Sequence, residues 1–118
     1  MLYTGKNLFD NKKNMMNLDS LINKQFYTQL TALPFVEKII LYGSRARGDE
    51  QPRSDIDLAV FCPQADIHDW QTLLNIIDEA DTLLAIDCVQ YDTLALNNPL
   101  KHAIDRDGII LYEKNITS

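Results

Sequence analysis

Two aspartates one residue apart, Asp55 and Asp57, break into an otherwise apolar run that continues as Leu58-Ala59-Val60-Phe61. Asp is depleted in strands, and burying a charge is costly unless the charge is paired or bound to metal. Side chains alternate along a strand, so Asp55 and Asp57 are expected on one face. At ~5.5 Å and an effective dielectric of ~20, two such carboxylates repel by roughly 3 kcal/mol. A divalent cation between them turns that repulsion into attraction. Hard oxygen donors with positions left over for phosphate describe a Mg²⁺ site. Whatever fold the chain adopts must therefore deliver a strand, with both acids, to an accessible edge.

The pattern on either side of the acids alternates between helix and strand. Residues 1–16 read as a polar lead with no apolar h-region, hence not a signal peptide. Leu18, Leu21, Ile22, Gln25, Phe26, Leu30 and Leu33 recur at helical spacing, with Asn17 or Asp19 as candidate cap and Pro34 as the stop. Val36–Tyr42 reads as a short buried strand. Gly43–Gly48 reads as a turn about one helical turn long, and Asp49–Arg53 as a loop. Ser54–Cys62 is the acid-bearing strand, closed by Pro63. Asp66 can cap a helix that carries Trp70, Leu73, Leu74, Ile77 and Ala80 on one side. Leu83–Tyr91 reads as a third strand, Thr93–Ile104 as a weaker helix broken or begun at Pro99, and Gly108–Tyr112 as a last strand. This order predicts an α/β fold: a small mixed sheet of about four strands with helices packed on it, in one domain spanning residues 17–113 and followed by a tail, 114–118.

Composition narrows the function classes. The formal charge of −6 argues against a nucleic-acid groove, which would need a basic stripe. No apolar run approaches the ~20 residues of a membrane span, and a cytoplasmic location is expected. Cys62 and Cys88 lie in apolar runs without a His/Cys cluster, so both are expected as reduced core residues. His68 and His102 stand alone and read as surface or helix-face residues, Trp70 reads as core, and Phe61, Tyr91 and Tyr112 read as core or interface.

The turn ahead of the acids suits phosphate. Gly43 lets the backbone approach a ligand closely, and Ser44 offers a hydroxyl and an N–H. If residues 44–48 open a helix, its free N–H groups face an anion. Arg45 and Arg47 can add charge-assisted bonds to phosphate oxygens, whereas Arg53 reads as a loop residue. The Gly43/Gly48 spacing is that of a P-loop, but Asp49-Glu50 stands where Lys-Ser/Thr is required, so that reading fails. A third acid, Asp87, interrupts the run Ile86-Asp87-Cys88-Val89 in the same manner. If its strand pairs beside the second one, three carboxylates converge, which fits two-metal phosphoryl chemistry. Asp81 and Asp92 compete for the third place but sit at predicted element ends.

Gly43-Ser44, ten intervening residues, Asp55-Ile56-Asp57 and a later strand acid Asp87 together resemble the nucleotidyltransferase superfamily typified by DNA polymerase β. The length resembles its minimal nucleotidyltransferase (MNT) group, and the resemblance spans roughly Leu18–Tyr112. It implies Mg²⁺, two ions in all, held by Asp55, Asp57 and Asp87, with Asp87 as general base. It implies ATP as substrate, its phosphates on Gly43 and Ser44, and transfer of a nucleoside monophosphate to a hydroxyl. It further implies a helical HEPN-type partner, the MNT protein acting as antitoxin by adenylylating a Tyr of the partner. Aminoglycoside nucleotidyltransferases carry an extra domain for the acceptor; none is expected within these residues, which favours an acceptor on another chain. Two readings stay beside it: a catalytically silent nucleotide-binding or partner-neutralising module, and an aminoglycoside-like small-molecule transferase whose acceptor site a homo-oligomer completes.

Overall fold

The computed structural model describes residues 24–80, 82 and 84–114. Helix α1 (Lys24–Thr31) leads into β1 (Lys38–Tyr42), a four-residue helix α2 (Ser44–Arg47), β2 (Ile56–Phe61), α3 (Ile67–Asp78), β3 (Ile86–Gln90), a 3₁₀ turn (Tyr91–Thr93), α4 (Pro99–Asp107) and β4 (Ile109–Glu113). The lead 1–16, the first turns of the expected Leu18–Leu33 helix, and residues 115–118 of the expected tail lie outside the described residues.

The strands form one mixed sheet in the order β3-β2-β1-β4. β1 runs antiparallel to β2 and β4, and β2 runs parallel to β3. Parallel neighbours need a long crossover, and α3 supplies it. Asp66 and Asp69 start that helix with a reciprocal capping box, each side chain accepting the other's backbone N–H at 2.8 and 3.0 Å. Pro99 opens α4 behind Asn98, whose side chain accepts the Leu100 N–H at 2.8 Å. The expected helix over 93–104 thus begins at Pro99 and runs on to Asp107. The strands are shorter than their apolar runs because Pro34, Pro52 and Pro63 and their loops take up the ends.

The sheet divides the core into two layers. On one side Phe26 and Leu30 of α1 and Leu73 of α3 pack on Ile39, Leu41, Ile56, Leu58, Val60 and Leu111, all at most 4% exposed. On the other, Ile104 of α4 covers Tyr42 and Ala59, with Ile40, Val89, Tyr91, Leu94 and Leu100 around them. This second layer is thinner, because α4 alone stands over it. Cys62 is buried and Cys88 half-buried, both as free thiols, and desolvation pushes each up to about 12. Trp70 packs against the first layer. Among the described residues no helix is long and apolar enough to cross a membrane.

Candidate active site

The direction of the strands decides which loops meet. β1 ends at Tyr42, and Tyr42 pairs with Asp57 near the start of β2. β3 starts level with β2, because Ile56 pairs with Ile86 and Asp57 with Asp87. The Gly43–Ser44 turn, the entrance to β2 and the entrance to β3 therefore share one end of the sheet. Asp57 and Asp87, directly opposite in a parallel pair about 4.8 Å wide, project from the same face. That face is the thinner one, shared with Ala59 and Tyr42.

Asp57 is half-buried, while Asp55 and Asp87 are exposed. Burial raises the Asp57 pKa, and the charges of Asp87 and Asp55 raise it further, against an opposing pull from Arg47 and Arg45. The three carboxylates thus feel one another. Asp55 stands one residue ahead of β2 rather than inside it; the chain at Ser54 is still held by its loop, and the ladder starts only at Ile56, whose N–H donates to Ala85 O at 2.9 Å.

The turn is built for close approach to Asp57. Gly43 has φ 75° and ψ −157°, a region essentially reserved for glycine. A Cβ there would overlap the Asp57 carboxylate, at Oδ2 first. Gly48 closes α2 in the left-handed region at φ 88°, its N–H donating to Ser44 O. The arginines of α2 part company. Arg45 donates from Nε and Nη2 to the backbone carbonyl of Ser54, at 3.2 and 3.0 Å. Arg47 pairs with Asp49 at 3.1 Å on the surface, a contact of the kind worth ~0–1 kcal/mol and readily exchanged. The expectation that both arginines face phosphate therefore meets a structure in which Arg45 is already engaged.

Of the competing acids, Asp81 lies outside the described residues. Asp92 sits beyond β3 at the opposite end of the sheet, accepting from the Cys62 N–H at 2.8 Å and from Gln90 Nε2 at 3.2 Å. It ties strand ends together and does not join the other acids. Tyr42 is a neighbour that the sequence reading passed over. Its phenol is pushed up to about 12 by burial first and then by Asp57, Asp87 and Cys88, so it stays a neutral hydroxyl beside the acids. Its place immediately before Gly43 was the available signal. A cavity of about 320 Å³ between Lys38, Ile40, Phe61, Tyr91 and Ile104 lies at the other end of β1, away from the acids.

Carboxylates are the donors that magnesium prefers, and the mutual field at Asp57 is the strain that a cation relieves. Among the described residues, however, no three His, Cys, Asp or Glu side chains are arranged so that they could hold a metal by themselves. The donor set fits a cation that completes its shell with ligand oxygens, not a closed protein cage.

Comparison with known proteins gives this geometry a family. The profile of "Polymerase beta, Nucleotidyltransferase" matches residues 22–117. No curated protein matches the chain in sequence. Among solved structures, a toxin–antitoxin with AMP-PNP aligns with TM-score 0.54 and 23% identity, over 79% of this chain and 75% of that one. A mutant of the toxin–antitoxin MntA-HpeT, with a tyrosine replaced by alanine, aligns with TM-score 0.55 and 23% identity, over 79% and 74%. A candidate nucleotidyltransferase of Sulfolobus solfataricus aligns with TM-score 0.50 and 19% identity, over 94% and 91%. With a family profile covering most of its length and a sheet that brings Gly43-Ser44, Asp57 and Asp87 to one edge, the chain belongs to the polymerase β-like nucleotidyltransferases.

Proposed function

We propose that this nucleotidyltransferase moves AMP from ATP to a hydroxyl on a partner protein, a Tyr of a HEPN-type helical toxin, and so acts as an antitoxin. The observation that carries the reading is the register Asp57↔Asp87 beside the Gly43–Ser44 turn. The likeness of the fold to a toxin–antitoxin holding AMP-PNP supports it.

In this reading Gly43 and Ser44 receive the triphosphate, and Arg47 leaves Asp49 to meet it. Asp55 and Asp57, with Asp87, would hold magnesium together with phosphate oxygens; when bound, the metal supplies Lewis-acid polarisation and charge neutralisation at the phosphoryl group. Asp87, exposed at the rim, takes the proton of the acceptor hydroxyl. The hydroxyl oxygen forms a bond to the α-phosphorus, the bond to the β-phosphate oxygen breaks, and pyrophosphate leaves. The neutral Tyr42 phenol under the acids adds no negative charge to a site that must admit a polyanion. The open rim above Asp55 and Asp87 leaves room for an acceptor carried by another chain.

The test is direct. The purified chain is incubated with α-labelled ATP, Mg²⁺ and a purified HEPN-type helical protein from the same organism. Label is expected on the partner, and Asp55→Asn should abolish it with the fold intact. Label persisting in that variant removes the metal-site reading. Partner binding without label points to a silent module, and pyrophosphate release with a small hydroxyl acceptor alone points to a small-molecule transferase.

A further inference from the structure

We propose that Arg45 is a positioning residue, which clamps the entrance of β2 and thereby sets Asp55 and Asp57, rather than a ligand of nucleotide phosphate. Arg45 is half-buried in α2, and both Nε and Nη2 converge on the Ser54 carbonyl, at 3.2 and 3.0 Å. Ser54 is the residue immediately before Asp55. It is fixed from its other side as well: its N–H donates to Gln51 O at 3.0 Å, and its hydroxyl accepts the Gln51 N–H at 2.8 Å. Two residues on, the Ile56 N–H donates to Ala85 O, the last residue before β3. Arg45 is thus the bond that joins the Gly43–Ser44 turn to a chain of contacts running from the loop, past Asp55, to the strand that carries Asp87.

Arg47 makes the contrast. Its partner Asp49 is a surface carboxylate, and the two side chains are 43% and 61% exposed. Such a pair opens at little cost. A charge-assisted fork on a half-buried carbonyl does not, since turning Arg45 away strips that oxygen of its donors. The two arginines, two residues apart and chemically identical, are therefore assigned different work: Arg47 is free to follow a polyanion, and Arg45 holds the frame. A shift of about 1 Å in a reacting group costs roughly 100-fold in rate, so loosening the frame should appear in turnover and not in nucleotide affinity.

One arm of the test rests on the proposed transfer and the other does not. In the full chain, Arg45→Gln should raise amide hydrogen exchange at Gln51, Ser54 and Ile56 at least tenfold while leaving α3 unchanged. In the transfer assay it should lower kcat about 100-fold, with the affinity for Mg-ATP, by calorimetry, within twofold of wild type. Arg45→Lys keeps the charge that a phosphate needs but not the fork, and should share the kcat loss. Unchanged exchange in both variants overturns the clamp. So does a tenfold weaker affinity for Mg-ATP with kcat retained in Arg45→Gln and affinity restored in Arg45→Lys. If Arg45→Gln fails to fold, Arg45→Lys carries the same exchange measurement. If the wild-type chain transfers nothing to any acceptor, the proposed function fails, and the exchange arm still decides the clamp.

Discussion

Gly43 and Asp57 are coupled by volume. The glycine occupies a backbone region that other residues enter at a cost of ~1–3 kcal/mol, and the space where its Cβ would stand is filled by the Asp57 carboxylate. Gly43→Ala should therefore melt measurably earlier and lose nucleotide transfer together, because the carboxylate must swing aside. An Ala variant with full activity would show that Asp57 is not held where the structure puts it. Asp57 also carries a pH signature. Its folded pKa is raised, by burial first and then by Asp87 and Asp55. The folded chain then binds more protons than the unfolded chain between the ordinary carboxylate value of 3.8 and the raised one, so stability falls as pH rises through that window and stays lower above it. Asp57→Asn removes the repulsion. It should melt higher than wild type at pH 7, with the gap closing as pH falls from the raised value to the ordinary one, in scans across that range.

Elements explain which residues were legible in advance. Asp87 was found because a lone acid inside an apolar strand is anomalous, and strand pairing then had to bring it beside Asp57. Gly43 and Gly48 bracketed α2 because both take positive φ. The Asp66 cap was visible too, but nothing in the apolar pattern singled out Asp69, which completes the box. The fork from Arg45 left no trace, since its acceptor is a main-chain oxygen nine residues on, and backbone oxygens are invisible in composition or spacing. Asp92 was ambiguous for a similar reason: its partner is the Cys62 N–H, thirty residues away. That assignment is checkable. Asp92→Ala leaves the N–H of the buried Cys62 without its acceptor, which costs about 1–3 kcal/mol. Urea unfolding should show this loss, while KM for ATP and the labelled yield per folded molecule stay at wild-type values. A specific collapse of turnover in a folded Asp92→Ala protein would return it to the list of acids at the site.

At the scale of the molecule the issue is how an acidic chain receives a polyanion. The formal charge is −6, and the charges of Asp55 and Asp87 bear on Asp57 at one end of the sheet. Against them stand Arg47, loosely held by Asp49, and Arg45, occupied at Ser54. No closed cage of protein ligands exists among the described residues, so in the function proposed above metal and nucleotide would each complete the other's site. The acids repel a bare triphosphate, and a cation lacks its remaining oxygens until phosphate arrives. Binding should therefore be strongly linked. Calorimetric titration of ATP in excess chelator is expected to give at least a tenfold weaker affinity than in millimolar Mg²⁺. The same linkage appears in melting: ATP and Mg²⁺ together at about a hundredfold their joint dissociation constant stabilise by ~2.7 kcal/mol, while either alone shifts the midpoint far less. In Asp57→Asn the joint shift should vanish, because the repulsion that the cation relieves is gone along with one of its donors. Tight binding of ATP without divalent metal would mean that the phosphates are held by cations and backbone alone, and the three acids would then need another explanation.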